Sequence, residues 1–179
     1  MKGGFLYHAM MYAMVLGGAL VALELVSYLL GGFNNWITTV LSLFVYVYSM
    51  YHFSVKYREE QLNGVMSYWR SVQFMITLSF LASMILGLFD FILMKYIDPD
   101  LLIKMIKEAE SNYVTLFDKY NELFDDKMKD VLIDNIRKIS PMDIWKSKMS
   151  NYIFGGLFLG LLMSFFTRRV NSDPFHEIK

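Results

Sequence analysis

Residues 5–30 read FLYHAMMYAMVLGGALVALELVSYLL, and within them only His8 and Glu24 are ionisable. A hydrocarbon core roughly 30 Å thick takes about 20 apolar residues to cross as an α-helix, the form in which a segment satisfies its own backbone N–H and C=O groups. This stretch is long enough. It is too long for the apolar core of a secretory signal and carries Glu24 within it, so it is predicted to be an uncleaved membrane anchor.

Three more windows meet the same requirement. Residues 36–55 carry no charge apart from His52 and include Tyr46, Tyr48 and Tyr51. Residues 71–96 hold Asp90 inside and Lys95 at their end, and residues 144–167 are stopped by Arg168 and Arg169. The predicted fold class is therefore all-α, a single polytopic membrane domain with four transmembrane helices. An amphipathic helical insert, about residues 98–143, separates the third from the fourth, and a tail follows from 168 to 179.

Composition agrees with this class. Of 179 residues 55% are hydrophobic and 19% charged, against roughly 25% charged in soluble domains, and the mean hydropathy is +0.36. Seventeen basic residues balance seventeen acidic ones, which leaves no net field to attract nucleic acid. There is no Cys, so disulfides, thiolate catalysis and Cys-ligated metal are excluded together. His8, His52 and His176 are too scattered for a metal motif. No Gly-x-Ser-x-Gly, His-Glu-x-x-His or phosphate-cradling glycine loop occurs, so no catalytic, cofactor-binding or metal residue is predicted; a non-enzyme is expected, with an enzyme acting on a lipid-linked substrate as a further alternative that lacks named chemistry.

The charge-free link Gly31–Asn35 makes the first two spans an antiparallel hairpin. Lys56, Arg58 and Arg70 in the next link, with Arg168 and Arg169 after the last span, place that side and both termini in the cytoplasm by the positive-inside rule. His8 and His52 then fall near the cytoplasmic ends, at ordinary interfacial positions, and Trp36, Trp69 and Trp145 read as interface anchors. The opposite side carries nine basic and eleven acidic residues between Ile97 and Lys148, but long translocated segments weigh little in that rule.

Small residues recur four apart in three spans: Ala9, Ala13 and Gly17; Ser79, Ser83 and Gly87; Gly156, Gly160 and Ser164. Such stripes let helix backbones approach in lipid, and predict a compact bundle or a homo-oligomer. Glu24 and Asp90 each lie six residues before the end of a span, about 9 Å by helical rise, so they could share one depth. Together with Lys95, which could approach Asp90, they are the intramembrane polar candidates, read either as structural pairing or as a proton or cation site.

At Ile97–Leu102, Asp98 is placed to cap a helix that Pro99 begins and Asp100 continues, with Ile97 and Leu102 at staple positions. Ser140, Pro141 and Asp143 repeat the device before the fourth span. Between these corners Tyr113, Leu116, Phe117, Tyr120, Leu123, Phe124, Met128, Val131, Leu132, Ile136 and Ile139 recur at three- and four-residue steps, the mark of one amphipathic helix face. Helix packing, the membrane interface or a partner protein could cover it. Its candidate docking residues are Tyr113, Phe117, Tyr120, Phe124, Val131 and Ile136. The acidic run at Asp118, Glu122, Asp125 and Asp126 lacks the glycine turn of a calcium loop and reads as a solvated face.

The chain resembles domain-of-unknown-function family 4199. The likeness rests on Tyr57-Arg58-Glu59-Glu60 with Gly64 and Ser67 entering the third span, and on Tyr96-Ile97-Asp98-Pro99-Asp100-Leu101-Leu102 leaving it. A charged helical insert and a Gly-rich last span ending in basic residues complete the order, and Trp69 and Arg70 depart from the Gly and Lys usual after the Ser. The resemblance implies a small four-helix protein of the bacterial inner membrane, mainly from Bacteroidetes, without assigned activity. It also suggests a subunit assisting a polyprenyl-phosphate glycosyltransferase. The expected function is thus a non-enzymatic accessory or scaffold subunit of an inner-membrane complex, its partners being lipid and another membrane protein or itself. A small transporter or channel using Glu24 and Asp90 is the alternative.

Overall fold

The computed structural model describes residues 4–30, 36–120 and 125–169. Expectations for the link 31–35, for Leu123 and Phe124, for His176 and for the tail beyond 169 lie outside them. Among the described residues six α-helices run in order: α1 (Phe5–Leu29), α2 (Trp36–Gln61), α3 (Tyr68–Ile92), α4 (Pro99–Lys119), α5 (Asp126–Arg137) and α6 (Pro141–Thr167). A π-helical turn, Leu93–Ile97, continues α3. The chain forms two compact units, Met1–Leu86 with Met149–Lys179, and Gly87–Lys148.

Among the described residues, three helices can cross a membrane by length and composition: Phe5–Leu29, Tyr68–Ile97 and Pro141–Thr167. That is the pattern of a multi-pass membrane protein. The helix over 36–61 is as long, 26 residues, or about 39 Å. Its first two-thirds carry Thr38, Thr39, Ser42, Ser49, three tyrosines and His52, and its last turns carry Lys56, Arg58, Glu59 and Glu60, so it is less apolar than the other three.

In the first unit α1 packs on α2. Ala9, Tyr12, Ala13, Leu16 and Leu20 are buried at helical spacing along α1, and they share one core with Tyr46, Met50 and Tyr57 of α2 and Phe74, Met75, Leu78, Ala82 and Leu86 of α3. Rings fill one end of this core: Tyr57 stacks on Phe74 at 4.4 Å between centroids, Phe5 meets both edge-on, and Tyr12 stacks on Phe53 at 4.9 Å. Buried hydroxyls cross-link the helices in layers. Tyr46 donates to Ser79 Oγ at 2.8 Å and to the Tyr152 carbonyl at 3.1 Å. Two helical turns away, Ser71 Oγ lies 3.2 Å from Ser54 Oγ and 2.6 Å from Thr167 Oγ1. Every one of these hydroxyls would be costly in apolar surroundings without its partner, so the layers fix the register of α2, α3 and α6.

The turn from α2 to α3 is set by backbone geometry. Asn63 and Gly64 take positive φ, 51° and 80°, and the Gly64 N–H reaches back to the Arg58 carbonyl at 3.0 Å. Met66 then exchanges two backbone hydrogen bonds, 2.9 and 3.0 Å, with Arg169 beyond α6. Gly64→Ala is expected to destabilise the fold by about 1 kcal/mol, because a Cβ is strained at this φ. The check is the midpoint of denaturant unfolding in detergent micelles; an unchanged midpoint would show that the turn relaxes freely.

In the second unit α4 packs on the π-helical turn and on α5. The Asp98 N–H closes the π turn on the Leu93 carbonyl at 2.8 Å, while the Asp98 carboxylate accepts from the Leu101 N–H at 3.2 Å and so caps α4. Ser140 and Asp143 bond reciprocally at the start of α6: the Ser140 N–H and hydroxyl donate to Asp143 Oδ2 at 3.1 and 2.6 Å, and the Asp143 N–H to Ser140 Oγ at 3.3 Å. Ile97, at the first staple position, stays exposed.

Candidate functional site

The expected single amphipathic face from Tyr113 to Ile139 belongs to two helices. The first ends at Lys119, and Asp125 precedes the second. Helix periodicity across 121–124 could not reveal the break, because the apolar positions keep step on both sides of it. Folding back buries Phe117 and Ile136, and Arg137 clips α5 to α4 through an ion pair with Glu110. Those two candidates are therefore consumed inside the unit. Tyr113, Leu116 and Tyr120, at i, i+3 and i+7 along α4, remain 42–44% exposed, and Met128 and Val131 are more exposed still on α5. The result is an apolar strip on the hairpin, which the packing of α4 on α5 leaves uncovered.

The polar candidates fall differently. Asp90 is fully buried and forms an ion pair with Lys148 of α6. Lys95, its expected partner, instead lies over the rings of Phe91 and Tyr96, at 5.0 and 5.2 Å from their centroids. The reason is angular. Five residues of helix carry Lys95 away from the Asp90 face, whereas Gly87, at i−3, shares that face and admits α6. A Cβ on Gly87 would overlap the Trp145 indole and lie 2.7 Å from its Nε1. Lys146 and Lys148 both sit inside the predicted span 144–167, a signal that a buried anion could await one of them, but only the fold selects Lys148, since Lys146 pairs with Asp143. Glu24 is part-buried on α1.

The small-residue positions are contact points within the chain. A Cβ on Gly17 would stand 3.0 Å from Ile85, one on Gly156 would be 2.5 Å from Ser79 Cβ, and one on Gly160 3.5 Å from Met75. Ala9, Ala13, Ser79, Ser83 and Ser164 are buried. His8 is buried too: it lies against the rings of Tyr7, Tyr12 and Tyr57, and its ring nitrogens have no hydrogen-bond partner among the described residues. His52 is exposed and stacks on Tyr48. No cluster of His, Asp and Glu suited to a metal occurs among the described residues.

The residues behind the family likeness turn out to be corners. Arg58 donates from Nη1 to the Thr167 carbonyl at 2.7 Å and pairs with Glu59, whereas Glu60 accepts from Tyr12 at 2.9 Å. A long side chain from α2 thus satisfies an orphan carbonyl at the end of α6. The family described as protein of unknown function (DUF4199) matches residues 11–169, and the chain belongs to it. No curated protein and no solved structure matches.

Proposed function

We propose that this DUF4199 chain is a non-enzymatic accessory or scaffold subunit of a bacterial inner-membrane complex. It crosses the bilayer four times, α2 included, with both termini in the cytoplasm, and it docks through the α4–α5 hairpin. One observation carries the reading: Tyr113, Leu116 and Tyr120 stay half-exposed in a row although their neighbour Phe117 is buried. Aromatic residues on a small solvent-side hairpin are the usual anchors of an interface core. Gly17, Gly156 and Gly160 are already used within the chain, so the hairpin, rather than the helix stripes, is the surface left for a partner. The transporter alternative draws less support, because the charge of Asp90 is offset inside the chain by Lys148.

A photo-crosslinking residue at position 113 or 120 in living cells is expected to trap one and the same partner protein, whereas position 111 or 115 on the polar side traps none. Tyr113→Asp with Tyr120→Asp should weaken that association about tenfold or more. Adducts with lipid alone at 113 and 120 would sink the proposal.

A further inference from the structure

Five basic residues, Lys56, Arg58, Arg70, Arg168 and Arg169, stand against two acidic ones, Glu59 and Glu60, where α2 ends, α3 begins and α6 ends. Contacts within the first unit draw these three places together: Arg58 to the Thr167 carbonyl, Ser71 to Thr167, and Met66 to Arg169. Both acids are engaged, Glu59 with Arg58, and Glu60 with Tyr12 and Lys56. The other three arginines have no carboxylate partner among the described residues. Arg70 lies 4.5 Å over the Phe5 ring and 3.3 Å from the Tyr57 hydroxyl, and Arg168 lies 5.7 Å over Phe165.

Aromatic side chains ring the same end. Trp69, Phe165 and Phe166 are 67%, 58% and 78% exposed, and Tyr68 packs on both Trp69 and Phe165. Two candidate spans meet here, so this aromatic collar marks the level of the lipid headgroups and the uncompensated guanidinium groups stand at that level. A zwitterionic headgroup offers them no net charge. We propose that Arg70, Arg168 and Arg169 form a site for the phosphate headgroup of an anionic phospholipid, held in preference to zwitterionic lipid. The warrant is charge complementarity: three cations at headgroup depth with no carboxylate partner among the described residues, and with planar donors suited to phosphate oxygens.

The test uses the full chain with Trp36→Phe and Trp145→Phe, so that Trp69 is the single tryptophan reporter beside the site. The protein is reconstituted into phosphatidylcholine vesicles with increasing brominated phosphatidylglycerol or brominated phosphatidylcholine, and quenching of Trp69 is measured. Brominated phosphatidylglycerol should be preferred about fivefold or more. Arg70→Gln, Arg168→Gln and Arg169→Gln together should bring that ratio to about one while leaving quenching by brominated phosphatidylcholine unchanged, which shows the chain still inserted. The three Arg→Lys changes should retain a reduced preference, because they keep the charge and lose the planar donors. Equal quenching of the parent by the two lipids would overturn the proposal, as would a preference that survives the Gln changes. Loss of the preference in sodium phosphate, but not in sodium chloride of equal ionic strength, would assign the site to free phosphate and overturn it too.

Discussion

Lys148→Met is expected to destabilise the folded protein by about 3–5 kcal/mol, the usual consequence of stripping a buried ion of its partner. Asp90 is fully buried, and its partner's side chain is 23% exposed. The two deletions should therefore differ. Without Lys148 the carboxylate loses its ion pair where water cannot reach it. Without the carboxylate, in Asp90→Asn, the lysine can extend along its stem toward solvent and lose less. Pairing Lys148→Met with Asp90→Asn should recover part of the loss, since no buried charge then lacks its counter-ion. The measurement is reversible unfolding in mixed micelles for the three variants. A cost for Lys148→Met below about 1 kcal/mol, or below that of Asp90→Asn, would mean that the carboxylate is solvated in the membrane-embedded protein.

The second large effect is expected at Gly156. A Cβ there would overlap Ser79 Oγ, stand 2.5 Å from Ser79 Cβ and 3.3 Å from the Tyr46 hydroxyl, while one at the neighbouring Gly155 would meet Tyr46 only at 3.9 Å. Gly156→Ala must push α6 from α3 or turn Ser79 off its hydrogen bonds to Tyr46 and to the Met75 carbonyl. Overpacking costs about 1–3 kcal/mol, and a broken buried hydrogen bond about 1 kcal/mol more. Gly155→Ala, in ordinary contact, should be nearly neutral or slightly stabilising through helix propensity. Unfolding midpoints of the two single variants give the comparison. Equal midpoints would show that the two helices do not approach closely at this point.

Both effects arise where a residue's importance depends on what faces it across the fold. The four-apart spacing of Gly156 and Gly160 was visible in the chain, but so was that of Ser83 and Gly87, and spacing does not say which neighbour occupies the gap. For Gly87 the neighbour is Trp145, a residue that sequence alone read as an interface anchor. In the same way Tyr57-Arg58-Glu59-Glu60 carried the family likeness without disclosing its use. Its arginine works at the far end of α6, 109 positions along the chain, and no local pattern encodes a pairing at that separation.

Local chemistry in the sequence was enough for whatever depends on one segment and its solvent. Long apolar runs, the Asp98-Pro99 and Ser140-Pro141 corners and the amphipathic character of the insert each follow from backbone satisfaction, capping or periodicity within a few turns. Tertiary structure alone decided which partners met: Lys148 rather than Lys95 for Asp90, the division of the apolar face between Tyr113 and Ile139 over two helices, and His8 inside a ring cluster. The physical reason is that apolar attraction has no direction, so it ranks segments by burial without matching them. Close packing and buried polar pairs are short-ranged, and they choose among arrangements only once the helices are already side by side.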